Sequence, residues 1–305
     1  MTGSKKLSRS KIVEQLTYHT MLFPATIIVI LFCYLPMVGI LIAFQNFNPV
    51  KGFFGSQFIG LDNFKYVLML PDALQVIKNT LYITLYKLIA IIVFSLFFSL
   101  LLNEVRNRWL KKVSQTIVFF PYFISWVILS GIIVDILSPG SGIVNLPIKA
   151  LGYEPIFFMA KNAWFTIILV VSYIWKDFGY ASVICLGAIA AIEPELYEAA
   201  WADGAGRFRQ IFHITLPGIM PTLLILVIIC LSTILSGQFE QIYNLYNPIV
   251  YKSGDIIDTF VYRVGIQELQ FGVAATLGLM KSLVQTAFVV VLYKIAYKFA
   301  NYRMF

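Results

Sequence analysis

Long apolar runs alternate with short polar segments along almost the whole chain. Six of these runs are long enough to cross a bilayer core of roughly 30 Å as helices, at about 20 residues each. The pattern predicts an all-α integral membrane protein. Its six transmembrane helices are expected near residues 21–44, 78–102, 113–137, 163–190, 218–238 and 271–295.

The composition supports this class. Of the 305 residues, 59% are hydrophobic and 12% are charged, and the charged fraction is about half that of an ordinary soluble domain. The first apolar run follows a basic N-terminus, but it is longer than the hydrophobic region of a signal peptide and no small-residue cleavage site follows it. We therefore expect it to be a retained span.

Lysine and arginine residues are distributed unevenly between the spans. Thirteen lie in residues 1–20, 103–112 and 191–217 and in the tail from Lys294, whereas six lie in the other loops. Cationic loops tend to stay in the cytoplasm, so both termini and the 191–217 loop are predicted to be cytoplasmic. The net charge of +8 then follows from topology and anionic headgroups, and no nucleic-acid partner is predicted.

The polar segments contain further structural signals. Residues 45–77 hold an Asn-, Gly- and Pro-rich loop followed by GLDNFKYVL, which predicts a short amphipathic helix at the membrane interface. SPGSG predicts a turn and NLPIKALG a short surface helix, and the long loop 239–270 follows the fifth span. We divide the chain into an N-terminal part, 1–77, and a five-helix core, 78–305.

Prolines inside the predicted spans remove backbone hydrogen bonds that neighbouring helices must replace. Kinks are therefore expected at Pro24, Pro36, Pro121 and Pro221.

The cysteines and histidines give no metal-site signal. Cys33, Cys185 and Cys230 fall inside predicted spans without the paired spacing of zinc sites or redox dithiols, so they are interpreted as packing residues. His19 and His213 are far apart in sequence.

One stretch, EAAWADGAGRFRQIFHITLP at 198–217, is unusually polar for a segment between two spans. Pro194 suits the first turn of a helix, and PELYEAAWAD continues with good helix formers. Gly204 and Gly206 favour a break, RFRQIFHI then adds a turn or two, and Pro217 closes the loop and starts the next span. The pattern predicts two short exposed helices at an angle, which are typical of a partner-binding element rather than an active site.

The spacing within this stretch resembles the signature of permease subunits of bacterial ABC importers. EAA is followed by three residues, a glycine, nine residues, an isoleucine, one residue and Leu-Pro, without a gap. In that family the loop forms a coupling helix that sits in a cleft of the ATP-binding subunit. The resemblance implies a coupling role for Glu198, Ala199, Ala200, Asp203, Gly204, Ala205, Arg207, Ile214, Leu216 and Pro217.

The resemblance extends over almost the whole chain. GLDNFKYV and LSGQFEQIYNLYNP look like their counterparts in maltose-type carbohydrate permeases, while NLYNPIVYKSGDIIDTFVYRVG departs from the usual Thr-Gly-Gly-Pro. That variant is similar to the branch associated with oligo- and polysaccharide uptake, so maltose itself is not the expected substrate. The chain stops at KFANYRMF without a glycine-rich tail, which resembles the first permease of such a pair.

The resemblance implies several partners in the bacterial cell membrane. They are a second homologous permease, two copies of an ATP-binding subunit, an extracytoplasmic substrate-binding lipoprotein, an oligosaccharide and the membrane lipids. ATP and magnesium would bind the partner ATPase, because this chain has no GxxxxGK[ST] motif. No catalytic residue and no cofactor are predicted in the chain itself.

Charged residues deep in predicted spans are candidates for the substrate path. Lys87, Lys176 and Lys281 lie near the bilayer middle, where a charge costs at least about 2.5–3.5 kcal/mol and normally faces a partner, water or the bundle interior. Three alternatives remain open. In the first, Asp177 pairs with Lys87 or Lys281, or carboxylates of a second permease neutralise the lysines. In the second, the lysines leave the path electropositive and suited to an acidic oligosaccharide such as a uronate. In the third, the same groups form hydrogen bonds with a neutral glycan. Asp135 and Glu240 are placed near the outer ends of their spans.

Aromatic residues in the outer half of the bundle are candidates for stacking on sugar rings. These are Trp126, Trp164, Trp175 and Tyr173, although Trp and Tyr also line membrane interfaces and Trp164 at a span edge favours an anchoring role.

A self-contained secondary transporter or channel is the alternative function from another class. Such transporters often show inverted repeats, and no internal repeat is visible here. An enzyme is disfavoured, because the chain contains neither HExxH nor GxSxG.

Overall fold

The computed structural model describes residues 9–300, and these are almost entirely helical. The predictions about the first eight residues and the last five, including the end of the KFANYRMF tail, lie outside the described residues. Five described helices are long and apolar enough to cross a membrane. A bent pair of helices, third along the chain, raises the number of candidate spans to six.

The first span is one continuous helical rod. Helix α1 (Arg9–Val29) passes into a π turn (Ile30–Tyr34) and then a 3-10 segment (Leu35–Phe44). Only 6% of its apolar window is buried inside the chain, so most of its surface is available to lipid. Cys33 on this rod is exposed; its prediction as a packing residue is therefore wrong within this chain, whereas Cys185 and Cys230 are buried as expected.

The segment after the first span folds back on itself. Strands β1 (Gln45–Asn46) and β2 (Gln57–Phe58) pair antiparallel around the short helix α2 (Gly52–Gly55). Helix α3 (Asp62–Met69) follows, as GLDNFKYVL predicts. The Asn63 side chain donates to the backbone oxygens of Ala43 and Gln45, both at 3.0 Å, and so ties α3 to the end of the first span.

The second span is longer than predicted. Helix α4 (Pro71–Glu104) begins seven residues before the predicted span, with Pro71 at its first turn, where the missing N–H costs nothing. The proposed division at 77/78 falls inside α4. Residues of α3 and of the start of α4 also share a hydrophobic cluster with the later helices, formed by Val67, Ala73, Val76, Ile257, Phe260, Val264, Val273 and Leu277.

The third span is not the straight helix that the apolar run 113–137 suggests. Helix α5 (Arg108–Phe119) and a 3-10 turn (Phe120–Phe123) meet helix α6 (Trp126–Leu137) at a bend of 104°. Pro121 within the 3-10 turn has no N–H, and Ser125 caps the new helix by accepting from the N–H of Ile128 at 3.4 Å. A hydrophobicity profile predicts a single span here because the helices on both sides of the bend are apolar.

The connection after α6 matches its sequence signals. A turn leads to helix α7 (Asn145–Ala150), and a 3-10 turn (Phe158–Ala160) precedes helix α8 (Asn162–Ala190), the fourth span. The buried Asn145 side chain donates to the backbone oxygens of Leu137, Ser138 and Ile156. This amide fixes the connection against the end of α6.

The fifth span begins earlier and ends later than predicted. Helix α9 (Pro194–Ala202) is separate, but α10 (Arg207–Gln210), a π turn (Ile211–Thr215) and α11 (Leu216–Leu245) form one uninterrupted helix. Pro217 therefore does not start the span; it lies in the first turn of α11, where proline is tolerated. The loop after this span accordingly begins at 246 rather than 239.

The last part of the chain caps and completes the bundle. A 3-10 turn (Pro248–Val250) leads to α12 (Tyr251–Gly254) and α13 (Ile257–Tyr262), and a π turn (Arg263–Gln267) precedes α14 (Phe271–Ala300), the sixth segment. The main hydrophobic core lies where α4, α6, α8 and α11 meet, with fully buried Ile83, Leu129, Leu169, Leu226 and Ile234 among its members.

The bundle has two distinguishable ends. We call the end with α9 and the C-terminus of α4 the hairpin end. The opposite end, which holds β1, β2, α3, α7, α12 and α13, is the loop end.

Candidate functional site

At the hairpin end, a sharp turn follows α9. The N–H of Ala205 bonds to the oxygen of Ala200 at 2.8 Å, and the N–H of Gly204 bonds to that of Trp201 at 3.0 Å. This pair of bonds is a Schellman cap, which requires a left-handed residue after the helix. Gly204 supplies it with φ of +77°, as the predicted break requires. A Cβ at Gly204 would meet no neighbouring atom within 4 Å, so backbone conformation alone demands the glycine.

Polar contacts attach this hairpin, residues 194–210, to the bundle. Arg207 Nη1 lies 2.8 Å from Glu104 Oε2 at the C-terminus of α4, and the hydroxyls of Tyr197 and Thr215 are 2.9 Å apart. Within the hairpin, Gln210 Nε2 donates to the oxygen of Ala205 at 3.0 Å. Arg207, expected to face a partner, thus has an acceptor in its own chain.

The signature positions divide by exposure. Glu198, Ala199, Asp203, Gly204, Arg207 and Pro217 are exposed, whereas Ala200, Ala205, Ile214 and Leu216 are partly buried.

The sequence reasoning missed the apolar part of the hairpin surface. Leu196 is 50% exposed, and Trp201 and Phe208 are each 78% exposed. Large apolar residues exposed together mark interaction sites. A tryptophan inside an otherwise polar loop was the available signal.

Lys87 is fully buried at the middle of α4, where polar and aromatic side chains surround its ammonium group. Its Nζ donates to Gln241 Oε1 on α11 and lies 5.0 Å from the centre of the Tyr173 ring. Gln241 Nε2 in turn donates to the oxygen of Leu169 and to Ser172 Oγ, both at 2.8 Å. This network joins α4, α8 and α11 at a depth where unsatisfied polar groups are costly.

Lys176 on α8 caps the broken third span. Its Nζ donates to the backbone oxygens of Tyr122 and Ile124, both at 2.7 Å, and it lies 5.7 Å from the centre of the Trp126 ring. These carbonyls precede the restart of the helix at Trp126, so the lysine satisfies backbone groups that the bend leaves without helical partners. The neighbouring Asp177 has a buried Oδ2 without a hydrogen-bond partner among the described residues.

The third lysine corrects a predicted pairing. Lys281 on α14 forms an ion pair with Asp258 on α13, and both side chains are mostly buried. The alternative that Asp177 pairs with Lys281 is therefore wrong. The partner of Lys281 is instead Asp258, from a part of the chain that was predicted to be a loop. We refer to the contacts of Lys87, Lys176 and Lys281 together as the lysine contacts.

The predicted stacking residues differ in accessibility. Trp126 and Tyr173 are each 8% exposed and belong to the core. Trp164 packs edge-on against Phe158 with ring centres 5.1 Å apart, and Trp175 shares a groove with Trp164, Ile167 and Val171. Glu240 is exposed on α11, where its backbone oxygen accepts from Asn244 Nδ2 at 2.7 Å.

Lys176 is also surrounded by aromatic rings that were not predicted from the sequence. The Tyr122 and Tyr180 rings stack with centres 4.9 Å apart and planes within 10°. Phe119 stacks on Tyr122 at 5.7 Å, and Tyr180 is 40% exposed. Only the bend in the third span brings Tyr122 to α8.

In addition to the lysine contacts, a buried ion pair lies at the loop end. Arg263 forms an ion pair with the buried Asp255 and lies 4.4 Å above the Tyr251 ring. Burial raises the pKa of the Asp255 carboxyl, although Arg263 and Thr259 both donate to it. Asn79 Nδ2 of α4 donates to the backbone oxygens of Lys252 and Asp255 at 3.1 and 3.0 Å, which fixes this loop to the second span.

The described residues contain no group of three His, Cys, Asp or Glu side chains that could hold a metal ion. Long apolar helices, buried lysine contacts between them and an exposed hairpin at one end are together typical of a multi-span membrane protein.

Comparison with known proteins narrows this class. Residues 95–298 match the family model described as the inner membrane component of binding-protein-dependent transport systems. The chain belongs to this family of transport permeases. The matched range contains the whole hairpin, Lys176 and Lys281, and it begins within α4.

Two relatives come from Bacillus subtilis (strain 168). The polygalacturonan/rhamnogalacturonan transport system permease protein YteP is 37% identical over 95% of this chain and 91% of its own length. Protein LplB is 38% identical over 87% of this chain and 84% of its own length.

A solved structure shares the fold. A chain of a bacterial ABC transporter involved in the import of the acidic polysaccharide alginate superposes with a TM-score of 0.88. It is 35% identical, with 95% of this chain and 98% of that chain covered. A second structure shows the bacterial alginate ABC transporter with a periplasmic protein bound to an alginate pentasaccharide, at a TM-score of 0.87 and 34% identity. The expected family and the expected transport role are thus confirmed.

Proposed function

We propose that this chain is a permease subunit of an ATP-driven ABC importer and that the 194–210 hairpin couples it to an ATPase. The observation that carries the proposal is the hairpin itself. The EAA positions form a Schellman-capped helix, and the hairpin exposes Trp201 on α9 and Phe208 on α10 at one end of a membrane bundle. Large exposed aromatic residues with a charged rim suit a cleft in a partner protein.

The orientation and the assembly follow from this role. The hairpin end faces the cytoplasm of a bacterial cell, where its partners are two copies of an ATP-binding subunit that hold ATP and magnesium. The loop end faces outward and receives a substrate-binding lipoprotein. A second, homologous permease completes the translocation path, as the uneven exposure of the described helices supports.

The substrate class that we propose is an acidic oligosaccharide. Lys176 donates to the neutral backbone oxygens of Tyr122 and Ile124, so these hydrogen bonds satisfy its ammonium group without cancelling its charge. Asp177 interacts electrostatically with both Lys176 and Lys87 and offsets part of their charge. The relatives named for polygalacturonan and alginate transport support the same class, and a uronate fits a path with excess positive charge.

The decisive experiment compares this chain alone with the complete assembly in proteoliposomes. We expect saccharide uptake only when the second permease, the ATPase, the binding protein and ATP are all present. A self-contained secondary transporter or channel would move solute without the ATPase, and this outcome would reject the importer proposal.

The substrate class is tested with matched neutral and uronate-bearing oligosaccharides. Lys176→Met should lower uptake of the uronate more than uptake of the neutral sugar, and Lys176→Arg should retain most of the preference because it keeps the cation. A preference for the neutral sugar that is unchanged in Lys176→Met would show that the substrate is not acidic.

A further inference from the structure

Five aromatic rings form a continuous series at the loop end. Phe239 and Tyr243 lie on α11, Tyr246 directly follows that helix, Tyr251 lies on α12 and Tyr262 on α13. We call them the aromatic track.

Adjacent rings of the track are in contact. Phe239 stacks on Tyr243 with centres 5.0 Å apart and planes within 19°, Tyr243 meets Tyr246 at 5.9 Å, and Tyr246 meets Tyr251 at 5.0 Å. Tyr262 lies 5.3 Å from Phe239 and 5.1 Å from Tyr243. The rings therefore extend without a gap from the last turns of α11 to α12.

Phe239 and Tyr243 are four residues apart and share one face of α11, and Tyr246 follows three residues later at the C-cap. Gln241, Ile242 and Leu245, on another side of the helix end, are buried in the core. The exposed residues beside the rings are Glu240 and Asn244. A carboxylate and an amide are expensive against lipid, so this face is directed to water or to a polar ligand.

A polar cavity of about 230 Å³ lies at the end of the track, where Tyr251 and Arg263 line it. The rest of its polar lining consists of Asp72, Gln75, Lys252 and Asp255. The cavity thus combines cationic and neutral hydrogen-bond donors with two carboxylate acceptors. Arg263 covers the Tyr251 ring at 4.4 Å, which joins the cavity to the track.

This combination matches the surface of a carbohydrate. Sugar rings present C–H faces that pack on aromatic rings, while their hydroxyls need donors and acceptors at the edges. A series of rings longer than one sugar unit suits a chain of several units. We infer that the aromatic track is a binding site for successive sugar rings of an oligosaccharide entering from the loop end.

This inference rests on the proposed function, and it differs from the predicted stacking residues. Trp126 and Tyr173 are buried in the core, whereas Tyr243 is 37% exposed and the other four rings of the track are partly exposed.

The test uses the complete transporter in proteoliposomes with galacturonate disaccharide and pentasaccharide, and with malto-oligosaccharides of the same two lengths. The variant Tyr243→Leu/Tyr246→Leu removes two rings, and Tyr243→Phe/Tyr246→Phe keeps them. A matched control is Tyr82→Leu/Tyr86→Leu on α4, a second stacked pair with ring centres 6.4 Å apart and residues 58% and 50% exposed. The Tyr86 side lines an apolar groove typical of lipid contact.

We expect the leucine double variant to lower the uptake rate of the pentasaccharide about fivefold relative to the disaccharide. The phenylalanine variant and the Tyr82/Tyr86 control should stay within about twofold of the unmodified transporter.

Three results would overturn the inference. These are an equal loss for both lengths, no loss at all, or a failure of the leucine variant to assemble with the second permease, which would make this face a subunit contact. If the unmodified transporter takes up none of the four saccharides, the proposed function is wrong and the inference falls with it.

Discussion

The hairpin at one end of the bundle and the lysine contacts within it are held by different kinds of interaction. The turn of the hairpin depends on one backbone angle at Gly204 and on hydrogen bonds between residues at most five positions apart. The lysine contacts join residues as far apart as Lys87 and Gln241, 154 positions away in sequence. An exposed local motif is free to serve a partner, whereas buried long-range contacts also hold the helices together.

This comparison leads to a general expectation. Changes in the lysine contacts should lower the stability of the protein, and transport should fall as a consequence. Changes in the hairpin should lower coupling while stability stays nearly constant. The following variants test the distinction, from the largest expected effect on stability to the smallest.

Lys281→Met removes one partner of a mostly buried ion pair and leaves Asp258 uncompensated. Removing one partner of a buried pair costs about 3–5 kcal/mol of unfolding free energy. We expect a clear fall in the thermal unfolding midpoint in detergent. The double variant Lys281→Met/Asp258→Leu should recover much of the loss, because it leaves no unpaired charge. If Lys281→Met alone unfolds like the unmodified protein, the pair does not stabilise the bundle.

Lys87→Met leaves the Gln241 amide oxygen without this donor inside the core. An unsatisfied buried polar group costs about 1–3 kcal/mol. We expect thermal unfolding in detergent to show a loss of this size, and Lys87→Met/Gln241→Leu to differ from the sum of its single variants because the two residues are in contact. Strict additivity would argue that the two side chains are energetically independent.

Gly204→Val places a β-branched residue at positive φ, where L residues are disfavoured by about 1–2 kcal/mol. The strain is confined to an exposed turn and breaks no long-range contact, so the unfolding midpoint should fall by only a few degrees. Uptake and the stimulation of the partner ATPase should fall about tenfold or more, because the hairpin no longer presents the same surface. Gly204→Asn is the control, since asparagine tolerates this conformation. Normal coupling in the valine variant would reject the assigned role of the hairpin.

Arg207→Met breaks the exposed contact with Glu104. Surface ion pairs contribute about 0.2–1 kcal/mol, so we expect almost no change in thermal unfolding. A measurable decrease in ATPase stimulation would indicate that the pair positions the hairpin against α4. Glu104→Gln should give the same decrease if positioning is the cause, and a normal Glu104→Gln variant would instead assign Arg207 to direct contact with the partner.

Much of the architecture could be read from the sequence for a simple physical reason. A bilayer requires long apolar helices, so apolar runs alone locate the spans, and the described helices contain all six predicted segments. The break after α9 was equally predictable from the sequence, because few residues other than glycine accept the φ of +77° found at Gly204. Both signals are local and do not depend on what packs nearby.

The bend in the third span could not be predicted from the apolar pattern. Hydrophobicity measures the transfer of side chains into lipid, and both arms of the bent pair are equally apolar. Pro121 indicated a kink, but a bend of 104° frees carbonyls that need new donors, and Lys176 of α8 donates to those of Tyr122 and Ile124. That contact spans more than fifty residues of sequence.

The sequence by itself determined the class of protein, the number of membrane segments and the position of the hairpin, because these depend on composition and on local backbone geometry. Only the tertiary structure decided which group each lysine meets and which aromatic rings remain accessible. Lys281 meets Asp258 rather than Asp177, and Tyr173 is buried while Tyr243 is exposed. Side chains near the middle of a span have many possible neighbours, and helix packing selects among them.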